Sequence, residues 1–385
     1  STQSFFIGRS KNVNYKACLT ITDTQPQVTK TFLANCRYIR TVMDLPKQTE
    51  LLIQFALLSQ VNKWIRALSS EVHMQTSHLS LNEILKDISG ISDELFSHAT
   101  AQLNHYGFLP DTDFLSFEYG AMPKALVRTL LSETITSRET LIAPLLHPSP
   151  DASFTLDDFP HVNTALLSQY LTAASKSRQS GASILLYGAS GTGKTELSRT
   201  LAKYCDRTLY EIRSTALASN FSEDEFNSRF PNKERLRYLA LLQSLLTCKA
   251  DAMLLVDECE SLFDCADSQY SKEHLQRFIE QNEIPCIWIT NHIQYLEPSF
   301  IRRFKLVLDV PTLRPEEIEQ ITRPYYHGLS VSPSARKMIS QTENITPAIV
   351  ANATHVAHAV NAKRARAEAV IGQVVEASLR ATEQW

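Results

Sequence analysis

The sequence predicts an α/β protein: a parallel sheet sandwiched by helices, an all-α region after it, and a mainly helical region with a winged-helix outline before it. Three observations carry this prediction. Residues 162–311 alternate short apolar runs with helical periodicity, as buried parallel strands joined by crossover helices do. One junction, residues 183–195, joins an apolar run to a helix through the pattern G-x-x-x-x-G-K-[ST]. Beyond Pro311 no strand signal remains, whereas 316–326, 333–342, 347–360 and 362–382 all carry helical spacing.

The N-terminal elements come first. Residues 17–22 read as a strand, and 49–68 as a helix with Leu52, Phe55, Leu58, Val61, Trp64 and Ile65 on its apolar positions. No chemistry is legible in residues 1–77. In 78–146, Ser80 with Glu83 makes a capping box that opens a helix to about Ile88. A turn follows, and Ser92 caps a second helix carrying Leu95, Phe96, Ala99 and Leu103. Residues 108–109 and 114–117 then offer two short strands, completing a helix-turn-helix or winged-helix outline. A DNA-reading role fails on charge. From Asp87 to Pro123 there is no Lys or Arg, and the would-be recognition helix starts with Asp93 and Glu94. A packing or partner-binding module is the better reading.

Residues 147–161, with three prolines and three aspartates, read as a linker. The core 162–311 then supplies strands at 184–187, 208–212, 253–256, 286–290 and 306–310, and 312–385 forms the helical C-terminal domain. A length of 385 residues suits two or three domains. A net charge of −3 disfavours general binding to nucleic acid or anionic membrane, leaving only a local basic patch as a route to either. Seven cysteines without a C-x-x-C suggest neither a disulfide framework nor a zinc site, which points to a reducing cytoplasm. The most apolar stretch, 51–61, is broken by Gln54, Ser59 and Gln60, so no membrane span is predicted. The chain starts at Ser1 without methionine, which leaves open whether it extends beyond residues 1–385.

The chemistry centres on Gly188-Ala189-Ser190-Gly191-Thr192-Gly193-Lys194-Thr195. Three glycines let a backbone wrap a phosphate with its N–H groups inward. Lys194 can reach terminal phosphates, and the Thr195 hydroxyl can ligate Mg²⁺. The helix from Glu196 would aim its positive end at the same anion. The competing reading is a plain glycine-rich turn. Residues 252–258 form an apolar strand ending in Asp257 and Glu258. At a strand's C-terminal edge, Asp257 can hold the shell of a bound Mg²⁺ and Glu258 can polarise an attacking water. Residues 286–291 end in Asn291, whose amide can bond a γ-phosphate and that water, or simply form a turn. Arg302 and Arg303 can stabilise charge on a transferring phosphoryl group, or be solvated surface arginines. His355 and His358 lack a third metal ligand and read as helix-surface residues. Lys363, Arg364 and Arg366 form a basic cluster, read as a solvated face, an inter-subunit contact or a site for an anionic partner.

In order along the chain, these segments resemble the AAA+ ATPases of the P-loop NTPase superfamily over about 154–380. GASGTGKT is similar to Walker A, LLVDE to Walker B, Asn291 to the sensor-1 residue and EPSFIRRF to the second region of homology. TLDDFPH at 155–161 is similar to the segment that packs beside the adenine, which implies Phe159 and His161 in nucleotide binding. A narrower likeness is to little-characterised bacterial AAA+ proteins with the same RRF stretch. The resemblance implies ATP hydrolysis with Mg²⁺, a ring (commonly a hexamer), Arg302 and Arg303 acting in trans, and a C-terminal lid. Two departures stand out. No glycine occurs between Gly193 and Gly328, so the aromatic–hydrophobic–Gly loop used for threading is absent, and Phe221, Phe226 and Phe230 stand in its region. Ala348 or Ile349 occupies the usual sensor-2 arginine position.

The function expected is therefore an ATPase that remodels a protein or protein–nucleic-acid partner recruited through the N-terminal region. The alternatives are a nucleic-acid-dependent ATPase of loader or initiator type, and a nucleotide-binding switch that does not hydrolyse. The acidic helix pair argues against the first. The Asp257–Glu258 pair argues against the second, because a pure binder needs no water-activating acid.

Overall fold

The computed structural model describes residues 29–61, 81–109, 124–177, 180–212, 231–263, 269–363 and 365–382. The expected strand at 17–22, the end of the helix 49–68, Ser80, the strand at 114–117, Phe221, Phe226, Phe230 and Arg364 lie outside them. The described chain opens with helices α1 (Lys30–Val42), α2 (Glu50–Val61), α3 (Leu81–Ser89), α4 (Asp93–His105), α5 (Lys124–Ser132) and α6 (Arg138–Ile142). Next come α7 (Thr164–Ser177), β1 (Ser183–Tyr187), α8 (Lys194–Tyr204), β2 (Thr208–Glu211) and α9 (Pro231–Leu245). Then follow β3 (Ala252–Val256), α10 (Glu260–Phe263), α11 (Gln269–Gln281), β4 (Cys286–Thr290), α12 (Pro298–Ile301) and β5 (Leu306–Asp309). The chain closes with α13 (Pro315–Thr322), α14 (Pro333–Ser340), α15 (Pro347–Ala359) and α16 (Ala365–Thr382).

These elements fall into two compact units, Ser1–Leu146 with Ser214–Lys249, and His147–Arg213 with Ala250–Trp385. In the first unit the helix pair α3–α4 has the turn read from the sequence. Gly90 turns the chain with φ +64°, and the Ser92 side chain accepts from Leu95 N. Phe108 and Leu109 are buried but form no strand; both amides donate to the Leu103 carbonyl and close the helix end instead. Asn35 is fully buried on α1. Its Nδ2 donates to the carbonyls of Leu130 (2.9 Å) and Glu133 (2.7 Å), and its Oδ1 accepts from Ile135 N (2.9 Å). One amide thus satisfies three backbone groups in the last turn of α5 and just beyond it, so its burial carries no unpaired polar cost.

Helix α9 also belongs to this unit, although the sequence places it inside the run 162–311. Tyr238, Leu239, Leu241, Leu242 and Leu245 are buried. The Tyr238 hydroxyl donates to the Leu145 carbonyl, and Ser244 Oγ donates to the His105 carbonyl at 3.0 Å.

The second unit contains all five strands expected from the sequence. They form one parallel sheet in the order β2-β3-β4-β1-β5. The central strands β1, β3 and β4 are almost wholly buried, which is why they read as unbroken apolar runs. The edge strand β2 is covered by the start of this unit. Pro148 bridges Tyr210 in antiparallel sense, Ser149 N donates to Leu209 O (2.8 Å), and Glu211 N donates to His147 O (3.0 Å). Leu197 and Leu201 of α8 pack with Ile184, Leu186, Leu255, Ile287 and Ile289 of the sheet. The C-terminal helices close a second cluster built on Val350, Ala353, Ala357, Ala367 and Ile371. Among the described residues no helix is long and apolar enough to cross a membrane.

Candidate functional site

The loop between β1 and α8 has the backbone its glycines suggest. Gly188, Gly191 and Gly193 have φ of +146°, +80° and +88°. A Cβ on Gly188 would lie 2.3 Å from the Val310 carbonyl oxygen, and one on Gly191 within 2.9 Å of the Thr346 side chain. Glycine is therefore required here both by conformation and by close approach. Gly193 is the N-cap of α8, so the unpaired amides of the first helical turn open onto the loop.

Lys194 is almost fully buried, and its Nζ donates to the carbonyls of Gly188 (2.8 Å) and Ala189 (2.7 Å). Burial pushes its pKa down, against the pull of the carboxylates of Asp257, Glu260 and Asp309. Thr195 Oγ1 donates to Asp257 Oδ2 at 2.7 Å. The other Asp257 oxygen accepts from Glu258 N at 2.9 Å. Glu258 is exposed and sits at φ +48°, a left-handed backbone that is uncommon outside glycine and strained for this residue. Cys259 N donates to Ile289 O (2.9 Å), which ties the turn after β3 to β4 and brings Asn291, the residue after that strand, to the same edge.

Ser190, Gly191, Thr192, Gly193, Lys194, Thr195, Glu196, Asp257, Glu258 and Asn291 line one open cleft of about 410 Å³. Gly188 and Ala189 form the loop behind Lys194 through their carbonyls. The cleft continues to an apolar end that holds Phe159 and His161. Phe154 meets Phe159 and Tyr325 edge-on at centroid distances of 6.1 and 6.3 Å. His161 is half-buried and has a lowered pKa, because desolvation outweighs the opposing charge of Glu317. Among the described residues neither of its ring nitrogens has a hydrogen-bond partner.

Arg302 and Arg303 do not line this cleft; they follow α12. Arg302 is exposed, and Arg303 is ion-paired with Glu280 of α11. His355 and His358 are both exposed, and His358 Nε2 lies 3.3 Å from the Tyr325 carbonyl oxygen. No group of three or more potential metal ligands occurs among the described residues.

Several lining residues escape sequence reasoning. Leu313, Ile321 and Tyr325 come from the start of the C-terminal helices and share no local pattern. Arg199 also lines the cleft. It bonds Ser149 Oγ (2.9 Å), Glu196 (3.2 Å) and Glu211 (2.8 Å). Glu196 in turn accepts from Ser153 N at 2.7 Å. The one available signal was spacing, since Glu196 and Arg199 lie three apart on one face of α8.

Chemically, the cleft offers the first turn of α8 and an ammonium suited to phosphates, a hydroxyl–carboxylate pair suited to a hard cation, and an apolar wall suited to a flat ring. Residues 184–312 match the model of the ATPase family associated with various cellular activities (AAA). Over 188 residues the chain is 25% identical to the proteasome-activating nucleotidase of Sulfurisphaera tokodaii, covering 44% of this chain and 45% of that protein. Over 153 residues it is 27% identical to fidgetin-like protein 1 of Caenorhabditis elegans, covering 36% of this chain and 24% of that protein. The chain thus spans less than half the length of these curated relatives. Among solved structures it is similar to the FIGL-1 AAA domain in complex with ADP, at 19% identity and a TM-score of 0.47, over 66% of this chain and 97% of that one. It is also similar to C. elegans PCH-2, at 14% identity and a TM-score of 0.43, over 56% and 69%. The matched span begins inside β1 and ends just past β5, and the sheet-bearing part of the chain is an AAA ATPase domain.

Proposed function

We propose that this protein binds ATP with Mg²⁺ in the cleft and hydrolyses it to ADP and phosphate. We further propose that it works as a ring oligomer, a hexamer, in the cytoplasm, remodelling a protein or protein–nucleic-acid partner. The observation that carries the reading is the 2.7 Å contact between Thr195 Oγ1 and Asp257 Oδ2, with Glu258 as the next residue. Two hard oxygens at the end of a glycine-lined cradle fit an octahedral cation that keeps most of its water. When bound, Mg²⁺ neutralises charge on the phosphate oxygens.

In this reading the amides of Ser190–Thr195 and the Lys194 ammonium hold the phosphates. Lys194 would exchange its loop carbonyls for phosphate oxygens, which suits a charge kept partly desolvated. Glu258 orients and polarises the attacking water, with Asn291 fixing its position. Phe159 and His161 hold the base at the apolar end, and Glu196 steadies the wall. Arg302 and Arg303 lie outside their own cleft, as groups that serve a neighbouring subunit's nucleotide must. The N-terminal region recruits the partner.

The test is turnover. Glu258→Gln should keep ATP binding while lowering hydrolysis by about 10²- to 10⁴-fold, the usual worth of a positioned acid–base group. Full turnover in that variant would remove Glu258 from the mechanism. Mass in solution, measured on Glu258→Gln with and without ATP, tests the ring; a monomer at every ATP concentration would refute it.

A further inference from the structure

Four aromatic rings join the element that carries Glu258, the strand that ends at Asn291, and the two arginines. Phe263 lies at the end of α10, the helix that begins two residues after Glu258. Its ring meets Phe300 of α12 edge-on at 4.8 Å and Trp288 of β4 at 6.2 Å. Trp288 in turn meets Phe304 edge-on at 5.8 Å. All four side chains are buried, and Trp288 is wholly so. Trp288 alternates with Ile289, a residue of the cleft wall, so the rings pack on the opposite face of the sheet. Phe300 and Phe304 bracket Arg302 and Arg303 in the chain.

We propose that Phe263, Trp288, Phe300 and Phe304 are positioning residues that set Arg302 and Arg303 in register with Glu258 and Asn291. The inference rests on the ring-ATPase reading above. A close-packed core does not deform continuously, so a shift of the Glu258 turn or of β4 reaches α12 through the rings. None of the four rings lines the cleft. Their removal therefore lowers what a subunit offers its neighbour and leaves its own cleft intact.

Phe304→Leu keeps an apolar side chain and removes the edge contact with Trp288; Phe300→Leu is the second variant. Alone, each variant is expected to bind ADP within about two-fold of the parent, with kcat lowered by about 3- to 30-fold, the range reported for residues that couple sites without touching ligand. The deciding readout is mixing each variant with Glu258→Gln, whose arginine segment is intact. Such mixtures should hydrolyse ATP faster than the two components measured separately, whereas a general loss of core stability would not be rescued. An Arg302→Ala/Arg303→Ala double variant mixed with Glu258→Gln is the control. If the control gives no recovery, the ring reading fails and this inference with it. If the control recovers but neither phenylalanine variant does, or if both variants keep full kcat or lose ADP binding, the rings are core packing alone and only this inference is overturned.

Discussion

Two glycines of the second unit should respond to alanine in opposite directions. Gly188 sits at φ +146°, and its added Cβ would stand 2.3 Å from the Val310 carbonyl oxygen. That oxygen cannot step aside cheaply, because Val310 N is bonded to Tyr187 O at 2.8 Å. A non-glycine residue at such a φ costs about 1–3 kcal/mol, and overpacking adds about 1–3 kcal/mol, so Gly188→Ala should lose about 2–6 kcal/mol. Gly372 lies inside α16 with nothing within 4 Å of its Cβ position. There alanine only restores helix propensity and should gain about 0.8–1 kcal/mol. For a unit of roughly 150–250 residues each kcal/mol moves Tm by about 2–4 °C. Thermal unfolding followed by tryptophan fluorescence should therefore show Gly188→Ala lower by at least about 4 °C and Gly372→Ala higher by about 2–4 °C. A Gly188→Ala variant within 1 °C of the parent would refute the claim that Val310 forbids a side chain there.

Two further effects follow from the site's electrostatics. The His161 pKa is depressed below its ordinary 6.5 by burial, so the unfolded chain takes up this proton more readily than the native one. Stability contributed by His161 is complete above pH 6.5 and is lost as pH falls through its lowered folded value. Urea midpoints at pH 7.5 and 5.5 should fall less in His161→Gln than in the parent, and equal slopes would remove His161 from the acid response. Arg199→Ala should leave Glu196 and Glu211 facing each other without their shared partner, costing about 1–3 kcal/mol. Amide exchange at Ser149 and Ser153 should rise with it, and unchanged exchange would show that Arg199 does not hold that segment.

The sheet was legible because β1, β3 and β4 are buried on both faces and so leave continuous apolar runs. Three of the four C-terminal helices were legible from an N-terminal proline, at Pro315, Pro333 and Pro347, and the fourth from its helical spacing alone. The loop between β1 and α8 was legible because its glycines answer to hard steric limits that only one residue type meets. At the apolar end of the cleft, the resemblance pointed to Phe159 and His161, but Phe154, Leu313, Ile321 and Tyr325 were not legible, because they are ordinary hydrophobic residues that converge only after folding. The affiliation of α9 was hidden for a similar reason. Its Leu-rich face looks the same whether it packs on a sheet or on helices, and nothing in residues 231–249 states which.

Because residues 214–249 complete the first unit, its chain is discontinuous and the order of synthesis matters. On the ribosome the N-terminal helices emerge first but lack α9 and its hydrogen bonds to Leu145 and His105 until residue 249 has followed. By then β1 and β2 are already exposed and waiting for β3 and β4, which come later still. Neither unit can finish before the other has begun, so a cut at His147 would not release an independent domain. A fragment starting there would carry the buried leucines of α9 without the helices that cover them.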